Sequence, residues 1–452
     1  MSYDKQSLEK LSTIKVWGKV TRIIGLVIEG FCPAASIGSL CEISNTTSEK
    51  KIFAEVVGFR DGKALLMPLG ELRGLGPGSL IRVIRESATI KVGNNLLGRV
   101  IDGMETPQDN LPKPNLDEEV ELYALPPNPM TRENITEPID LGVRAINGLL
   151  TCGLGQRMGI MAGSGVGKSV LLGMMAKYAH ADINVIALIG ERGREVREFI
   201  ERDLGPDGLA RSVIVVVTSD QSPLLRMRGA FVATAIAEFF CKQGKNVLLM
   251  MDSVTRFAMA MREIGLAVGE PPTTKGYTPS VFATLPKLLE RAGRFKGQGS
   301  ITALYTVLVD GDDITEPVAD SVRSILDGHV VLSRSLAAQN HFPAIDILGS
   351  ASRVMRDIVS PRHLELAGAL RSILASYREA EDLINIGAYS KGANKDIDLA
   401  IEKISDAKAF LQQQFNETSS MTETLEALGI LLSERDIGKK KVPQNRRRVD
   451  KK

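Results

Sequence analysis

Five apolar runs between about residues 145 and 350 constrain the fold more tightly than anything else in the chain. They read RMGIM, NVIALIG, SVIVVV, NVLLMMD and ITALYTVLV, with helical stretches such as LRMRGAFVATAIAEFFCKQG between them. A strand that is apolar along its whole length has no side to turn to water, so both of its faces must be covered. Strand–helix alternation meets that need with a parallel sheet between layers of helices. Gly244 supplies a helix stop signal ahead of NVLLMMD.

The flanking regions follow other patterns. Residues from about 12 to 92 hold short stretches rich in Val, Ile and Phe, broken by Gly and polar residues. That is the pattern of a small all-β barrel or sandwich. Pro107, Pro112, Pro114, Pro126, Pro127, Pro129 and Pro138 all fall within 97–142. Proline withholds a ladder donor and fixes φ, which predicts an extended connector wrapped over the surface. After about residue 360 the pattern turns helical, in HLELAGALRSILASYREAEDLINIG and DIDLAIEKISDAKAFLQQQF. The expected division is 1–95 for a short polar segment and β-barrel, 96–360 for the α/β domain entered by the connector, 361–437 for an α-helical domain, and 438–452 for a basic tail.

At 452 residues the chain is too long for one ordinary domain. A net charge of +2 gives no bulk attraction to nucleic acid, and the basic exception is the tail GKKKVPQNRRRVDKK. Cys32, Cys41, Cys152 and Cys241 form no C-x-x-C pair and match no disulfide or zinc framework, so they read as reduced thiols in a cytosolic protein. His180, His329, His341 and His363 are scattered and predict no metal cluster. The polar start MSYDKQSLEK does not read as a secretory signal. Runs such as VIVVV and VLLMM are too short to span a bilayer, so membrane contact is expected to be peripheral only.

Three segments point to phosphate chemistry. MAGSGVGKSV at 161–170 resembles the loop G-x-x-x-x-G-K-[ST], with Ala162 in the place of the first glycine. Such a loop grips phosphate oxygens with backbone N–H groups and a helix N-terminus. Lys168 can reach the β/γ-phosphates, Ser169 can ligate Mg²⁺, and a strand before and a helix after supply the required context. A methyl at 162 is tolerable where φ stays negative. NVLLMMD ends an apolar strand on Asp252, which suits a magnesium-holding Walker B carboxylate and equally a helix N-cap. ALIGERGREV places Glu191 at the end of another strand, where a carboxylate can deprotonate an attacking water, with Arg192 to bind phosphate or hold Glu191. The same ERGREVRE run also reads as solvated charge at a helix start.

AGSGVGKS, IGERGREVREF, LLMMDSVTRFA and GEPPTTKGYTPSVFATLPKLLERAG together resemble the type III export ATPase family, nearer its flagellar than its injectisome branch. The likeness runs from about residue 15 to about 415. It implies an N-terminal β-barrel, a central α/β RecA-like P-loop domain with a parallel sheet, and a C-terminal α-helical domain. It also implies a homohexamer with sites between protomers. ATP would be held by Ala162, Gly163, Ser164, Gly165, Val166, Gly167, Lys168 and Ser169, with Glu191 as base and Asp252 as the magnesium carboxylate. Arg353, in PAIDILGSASRVM, takes the arginine-finger position that reaches a neighbouring site, and spacing alone also allows a surface salt bridge there. Phe342 and Phe415 match the aromatics that flank adenine in the related rotary β subunit, and core packing is the alternative for both. The resemblance further implies a stator-like regulator at the N-terminus, a small coiled-coil stalk-like protein at the loop 387–396, a membrane export gate, and export chaperone–substrate complexes. Its expected place is cytoplasmic and peripheral to the inner membrane.

Rival readings are a Rho-type RNA translocase, a non-catalytic ring subunit and an ATP synthase β subunit. The first needs a basic or aromatic RNA-binding surface, whereas residues 12–92 hold one Trp and interleaved charges. The second should lack Glu191 or Lys168. The third is opposed by the export-type block and by NETSSMTETLEALGILL, which departs from the rotary subunit.

Overall fold

A computed structural model describes residues 16–45, 51–309, 313 and 315–432. Most of the N-terminal segment and the whole basic tail lie outside the described residues.

Six strands, β1 (Gly18–Ile24), β2 (Val27–Phe31), β3 (Leu40–Ser44), β4 (Lys51–Arg60), β5 (Lys63–Pro68) and β6 (Leu80–Arg85), close into a barrel in the order β1-β2-β5-β4-β3-β6. Asp61 and Gly62 join β4 to β5 with φ of 50° and 72°. Positive φ at both loop positions is what a two-residue hairpin with right-twisted strands demands. The barrel interior is apolar, with Ile28, Ile43, Ala54, Val56, Leu66 and Ile81 buried.

The connector is anchored rather than simply draped. After β7 (Thr89–Val92), β8 (Val100–Ile101) adds to the edge of the central sheet and β9 (Glu118–Glu121) pairs back on β7. Leu116, Leu122, Ile139 and Leu141 are buried, so apolar residues between the prolines pin the segment down.

The central sheet uses β10 (Arg157–Ala162), β11 (Ile183–Ile189), β12 (Ser212–Val217), β13 (Asn246–Asp252), β14 (Gly293–Arg294), β15 (Ser300–Leu308), β16 (Gly328–Leu332) and β17 (Ile345–Ser352). Its order is β17-β16-β10-β15-β13-β11-β12-β8, with β14 paired to β15 off that path. From β16 to β8 the neighbours are parallel, whereas β17 and β14 run antiparallel. Alternate residues of each strand feed two different cores. Val247, Leu249 and Met251 face one, and Leu248 and Met250 the other. The apolar runs therefore record a sheet covered on both sides.

Two buried joints tie the flanking domains to this core. Arg228, on the helix Pro223–Lys242, donates to Glu55 of the barrel at 3.1 Å and to Gly103 O at 2.9 Å, and Tyr123 O–H donates to the other Glu55 oxygen at 2.8 Å. Burial raises the Glu55 pKa, against the pull of Arg228. On the other side the helices Pro361–Asn385, Lys395–Leu411 and Met421–Leu431 pack around Arg144–Leu149. His363 Nε2 donates to Gly148 O at 2.8 Å, and Asp140 accepts from Met421 N at 2.7 Å. The second C-terminal helix stops at Leu411, short of the QQQF expected to continue it. Gln413 is instead drawn inward, accepting from Arg144 N and donating to Gly142 O, each at 2.8 Å.

Candidate active site

Three strands end together. β10 gives way after Ala162 to the glycine-rich loop, β11 after Ile189 to Gly190 and Glu191, and β13 ends on Asp252 itself. Leu188 is the register partner of Asp252, so Glu191 stands just beyond the same sheet edge. β15 separates β10 from β13, and Lys168 reaches across it.

Ala162 is the last residue of β10, buried, with its carbonyl accepting from Val309 N at 3.0 Å. It keeps strand conformation, so its methyl does not disturb the turn that follows. That turn depends on Gly165 and Gly167, with φ of 78° and 87°. Side chains other than glycine rarely adopt such values. Gly167 caps the helix Lys168–Tyr178. Along the loop Gly163 and Val166 are buried, Ser164 and Gly165 exposed, Lys168 partly buried, and Ser169 exposed on the first helical turn.

The Lys168 ammonium is in contact with Asp252 Oδ1 and lies 3.5 Å from Glu191 Oε1. Thr306 Oγ1, from β15, donates to Asp252 Oδ1 at 2.8 Å. Burial alone would lower the Lys168 pKa, but the two carboxylates carry it above its ordinary value. Burial, then repulsion from Asp252, pushes Glu191 up to about 7 despite Lys168, and a hydrogen bond that the protonated Glu191 donates to Glu195 adds to the rise. A carboxylate poised there can take a proton at neutral pH.

Arg192 points elsewhere. Its side chain is 79% exposed and donates to Glu195 at 3.3 Å rather than to Glu191. Arg256, which sequence reasoning missed, lies instead against Gly190, where an added Cβ would come within 2.8 Å of the Arg256 Cβ. Its Nε is buried with no hydrogen-bond partner among the described residues. Its only sequence signal is its place four residues after Asp252, in the first turn of the helix Val254–Val268. Thr306 was missed too, because it sits inside an apolar strand.

Phe342 and Phe415 come together beside the loop. With Gly167, Val170, Leu171, Pro343 and others they line a cavity of about 500 Å³. Phe342 ring atoms lie 3.5 Å from where a Gly167 Cβ would stand. Phe415 gets there because the helix before it has ended.

Arg353 lies at the other end of the sheet. β17 runs antiparallel to β16, and the pairing of Ser352 with Gly328 sets Arg353 beside the start of β16. The loop follows the opposite end of β10, level with Leu332. Arg353 Nη1 donates to Leu326 O at 3.1 Å and Nη2 to Arg323 O at 3.3 Å.

The donor set suits magnesium. A serine hydroxyl and a carboxylate are hard oxygen ligands, and Mg²⁺ commonly takes only one or two protein groups plus phosphate oxygens. Among the described residues there is no cluster of three His, Cys, Asp or Glu that could cage a metal.

Known families cover each of the three domains. Residues 20–83 match the ATP synthase alpha/beta family beta-barrel domain, 142–352 its nucleotide-binding domain, and 359–429 the T3SS EscN ATPase C-terminal domain. The chain is 55% identical over 422 residues to the flagellum-specific ATP synthase of Bacillus subtilis, covering 93% of this chain and 96% of that one. It belongs to the type III export ATPase family. The family's two branches are both near. The type 3 secretion system ATPase of Xanthomonas euvesicatoria is 50% identical over 424 residues, covering 94% of this chain and 96% of that one. The assembled ATPase EscN from enteropathogenic E. coli superposes with a TM-score of 0.87 at 50% identity, over 92% of this chain and 99% of that one. A second structure holds EscN in complex with its central stalk EscO, with a TM-score of 0.85 at 49% identity, over 92% of this chain and 99% of that one. The match at 359–429 places the C-terminal domain with the export enzymes and not with an ATP synthase β subunit.

Proposed function

We propose that the chain is the ATP-hydrolysing motor of a type III protein export apparatus of the flagellar kind, acting as a homohexameric ring. One observation carries this reading: Lys168, Glu191 and Asp252 meet at one end of the sheet, while Arg353 stands at the other. A protomer so built cannot bring its own Arg353 to its own loop, so the guanidinium serves the next protomer's site.

Lys168 exchanges its two carboxylates for β- and γ-phosphate oxygens when ATP enters. The backbone of 163–168 and the helix N-terminus cradle the phosphates. Ser169 and Asp252 are the groups that would hold Mg²⁺, which supplies neutralisation of phosphate charge. Glu191 takes one proton from the attacking water, whose oxygen bonds the γ-phosphorus as the bond to ADP breaks. The unpartnered Arg256 Nε offers a further donor to the phosphate side, and Arg192 is free to swing inward from Glu195. Phe342 and Phe415 flank the base. The neighbour's Arg353 stabilises the charge of the transition state.

The loop 387–396 joins two C-terminal helices and is the surface we assign to a stalk-like export protein, as EscN takes EscO. A stator-like regulator at the N-terminus, the membrane gate and chaperone–substrate complexes complete the proposed partners. No helix among the described residues is long and apolar enough to cross a membrane, which accords with a cytoplasmic motor held at the membrane by others. The injectisome is the second reading, favoured by the EscN likeness. A chromosomal Glu191→Gln strain separates them. Loss of filaments and swimming is expected, whereas intact swimming with lost effector secretion would assign the injectisome. Normal motility and normal secretion together would overturn the motor.

A further inference from the structure

We infer that Gln156, Arg157 and Asp327 form a brace that positions Arg353 for the neighbouring site, mounted on the same strand whose tip grips this protomer's own phosphate. The inference rests on the proposed trans role of Arg353.

The brace is dense and part-buried, the Arg157 and Asp327 side chains being 13% and 25% exposed. Gln156 is 0% exposed, and its Nε2 lies 3.1 Å from Asp327 O and 3.2 Å from Ser352 Oγ. Ser352 Oγ in turn donates to Thr151 O at 2.8 Å. Arg157 holds the Asp327 carboxylate through its backbone N at 3.1 Å, Nε at 3.0 Å and Nη2 at 3.0 Å. Asp327 N returns a bond to Arg157 O at 2.9 Å. Arg353 N donates to Asp327 O at 3.0 Å, and the Arg353 guanidinium rests on the carbonyls of Leu326 and Arg323. The residue before the finger and the residue beneath it are thus both clamped to the first turn of chain entering β10.

Position gives this clamp its consequence. Gln156 and Arg157 stand at the start of β10, and Ala162 ends it. Five residue steps, roughly 17 Å, separate the finger's mount from the phosphate loop. A strand buried on both faces is stiff along its length. The finger's mount and the phosphate grip are thus built on the two ends of one strand. Asp327, Arg157 and Gln156 are positioning residues, since none touches nucleotide in its own protomer or reaches the loop of its own site.

Mixed rings of the full chain test the brace. Asp327→Asn is expected to lower kcat about 10-fold with the KM for ATP changed less than 2-fold, and Asp327→Glu to recover part of it. Gln156→Met, which keeps the volume and removes the clamp, should behave likewise and decides the matter if Asp327→Asn does not fold. Mixing either variant with Lys168→Ala protomers, which lack a working loop but carry an intact finger, should raise turnover per competent site several-fold. Arg353→Ala mixed the same way is the control. If Arg353→Ala is rescued and the brace variants are not, the brace is overturned while the trans finger stands. If Arg353→Ala is not rescued either, the trans finger itself fails and the brace with it.

Discussion

The two ends of the central sheet handle charge in opposite ways. At the base, Asp327 is met by Arg157 through guanidinium and backbone, and Arg157 also pairs with Glu290. At the tip, the carboxylates of Glu191 and Asp252 share the ammonium of Lys168, and Glu191 is pushed up to about 7. A buried carboxylate held so far from its ordinary range costs the fold stability, and such groups gather where a ligand completes the balance. The base is settled because it must hold something still. The tip is unsettled, as the proposed entry of phosphate and metal requires.

The largest expected effect crosses that division. Arg353→Ala changes a residue of the settled end, yet turnover in the assembled protein should fall by about 10³–10⁵ with nucleotide affinity little changed. Steady-state kinetics beside a binding titration would show it, and an unaltered kcat would break the contrast.

Next comes Glu191→Gln, with an expected loss in kcat of about 10²–10⁴ by phosphate release. Its stability effect has the opposite sign. A carboxyl whose folded pKa is raised contributes stability that is present in acid and lost as pH rises through about 7. The amide should therefore melt about 1–3 °C higher than the parent at pH 8, with the gain vanishing near pH 4.5. At the base, Arg157→Met strands the Asp327 carboxylate and should cost about 3 kcal/mol, read as a lower melting temperature at pH 8. Calorimetry of the two variants side by side sharpens the comparison, and equal signs would contradict it.

Smaller effects map the rim of the tip. Phe342→Ala should raise the KM for ATP about 10-fold, as expected for a lost base–aromatic stack, and Phe415→Ala should raise it less. The acid limb of kcat/KM should rise through an apparent pKa near 7. Glu195→Gln removes one cause of the Glu191 shift and should move that limb down by less than about 1 unit.

Much of this was legible in the sequence. The apolar runs announced the covered sheet, because a strand buried on both faces leaves no polar residues to hide. Lys168, Asp252 and Glu191 were readable because each sits at a strand end in a fixed local context. The brace was not, since Gln156, Asp327 and Ser352 meet only through the order of β10, β16 and β17. Arg256 carries no local mark beyond its nearness in sequence to Asp252. The end of the helix at Leu411 was hidden as well. Gln412 and Gln413 are good helix formers, and the buried bonds of Gln413 to Gly142 and Arg144 override that preference. The same break carries Phe415 to the loop. The proline-rich connector misled in one respect, for its prolines mark bends between anchored apolar residues such as Ile101 and Leu122.

The central claim is that each site is finished by a guanidinium from the next chain. ATP turnover per chain, measured against protein concentration across the range of self-association, tests it most directly. Turnover should climb steeply as rings form and stay at the low monomer level for Arg353→Ala at every concentration. A monomer that hydrolyses ATP at the rate of the assembled protein would contradict the account.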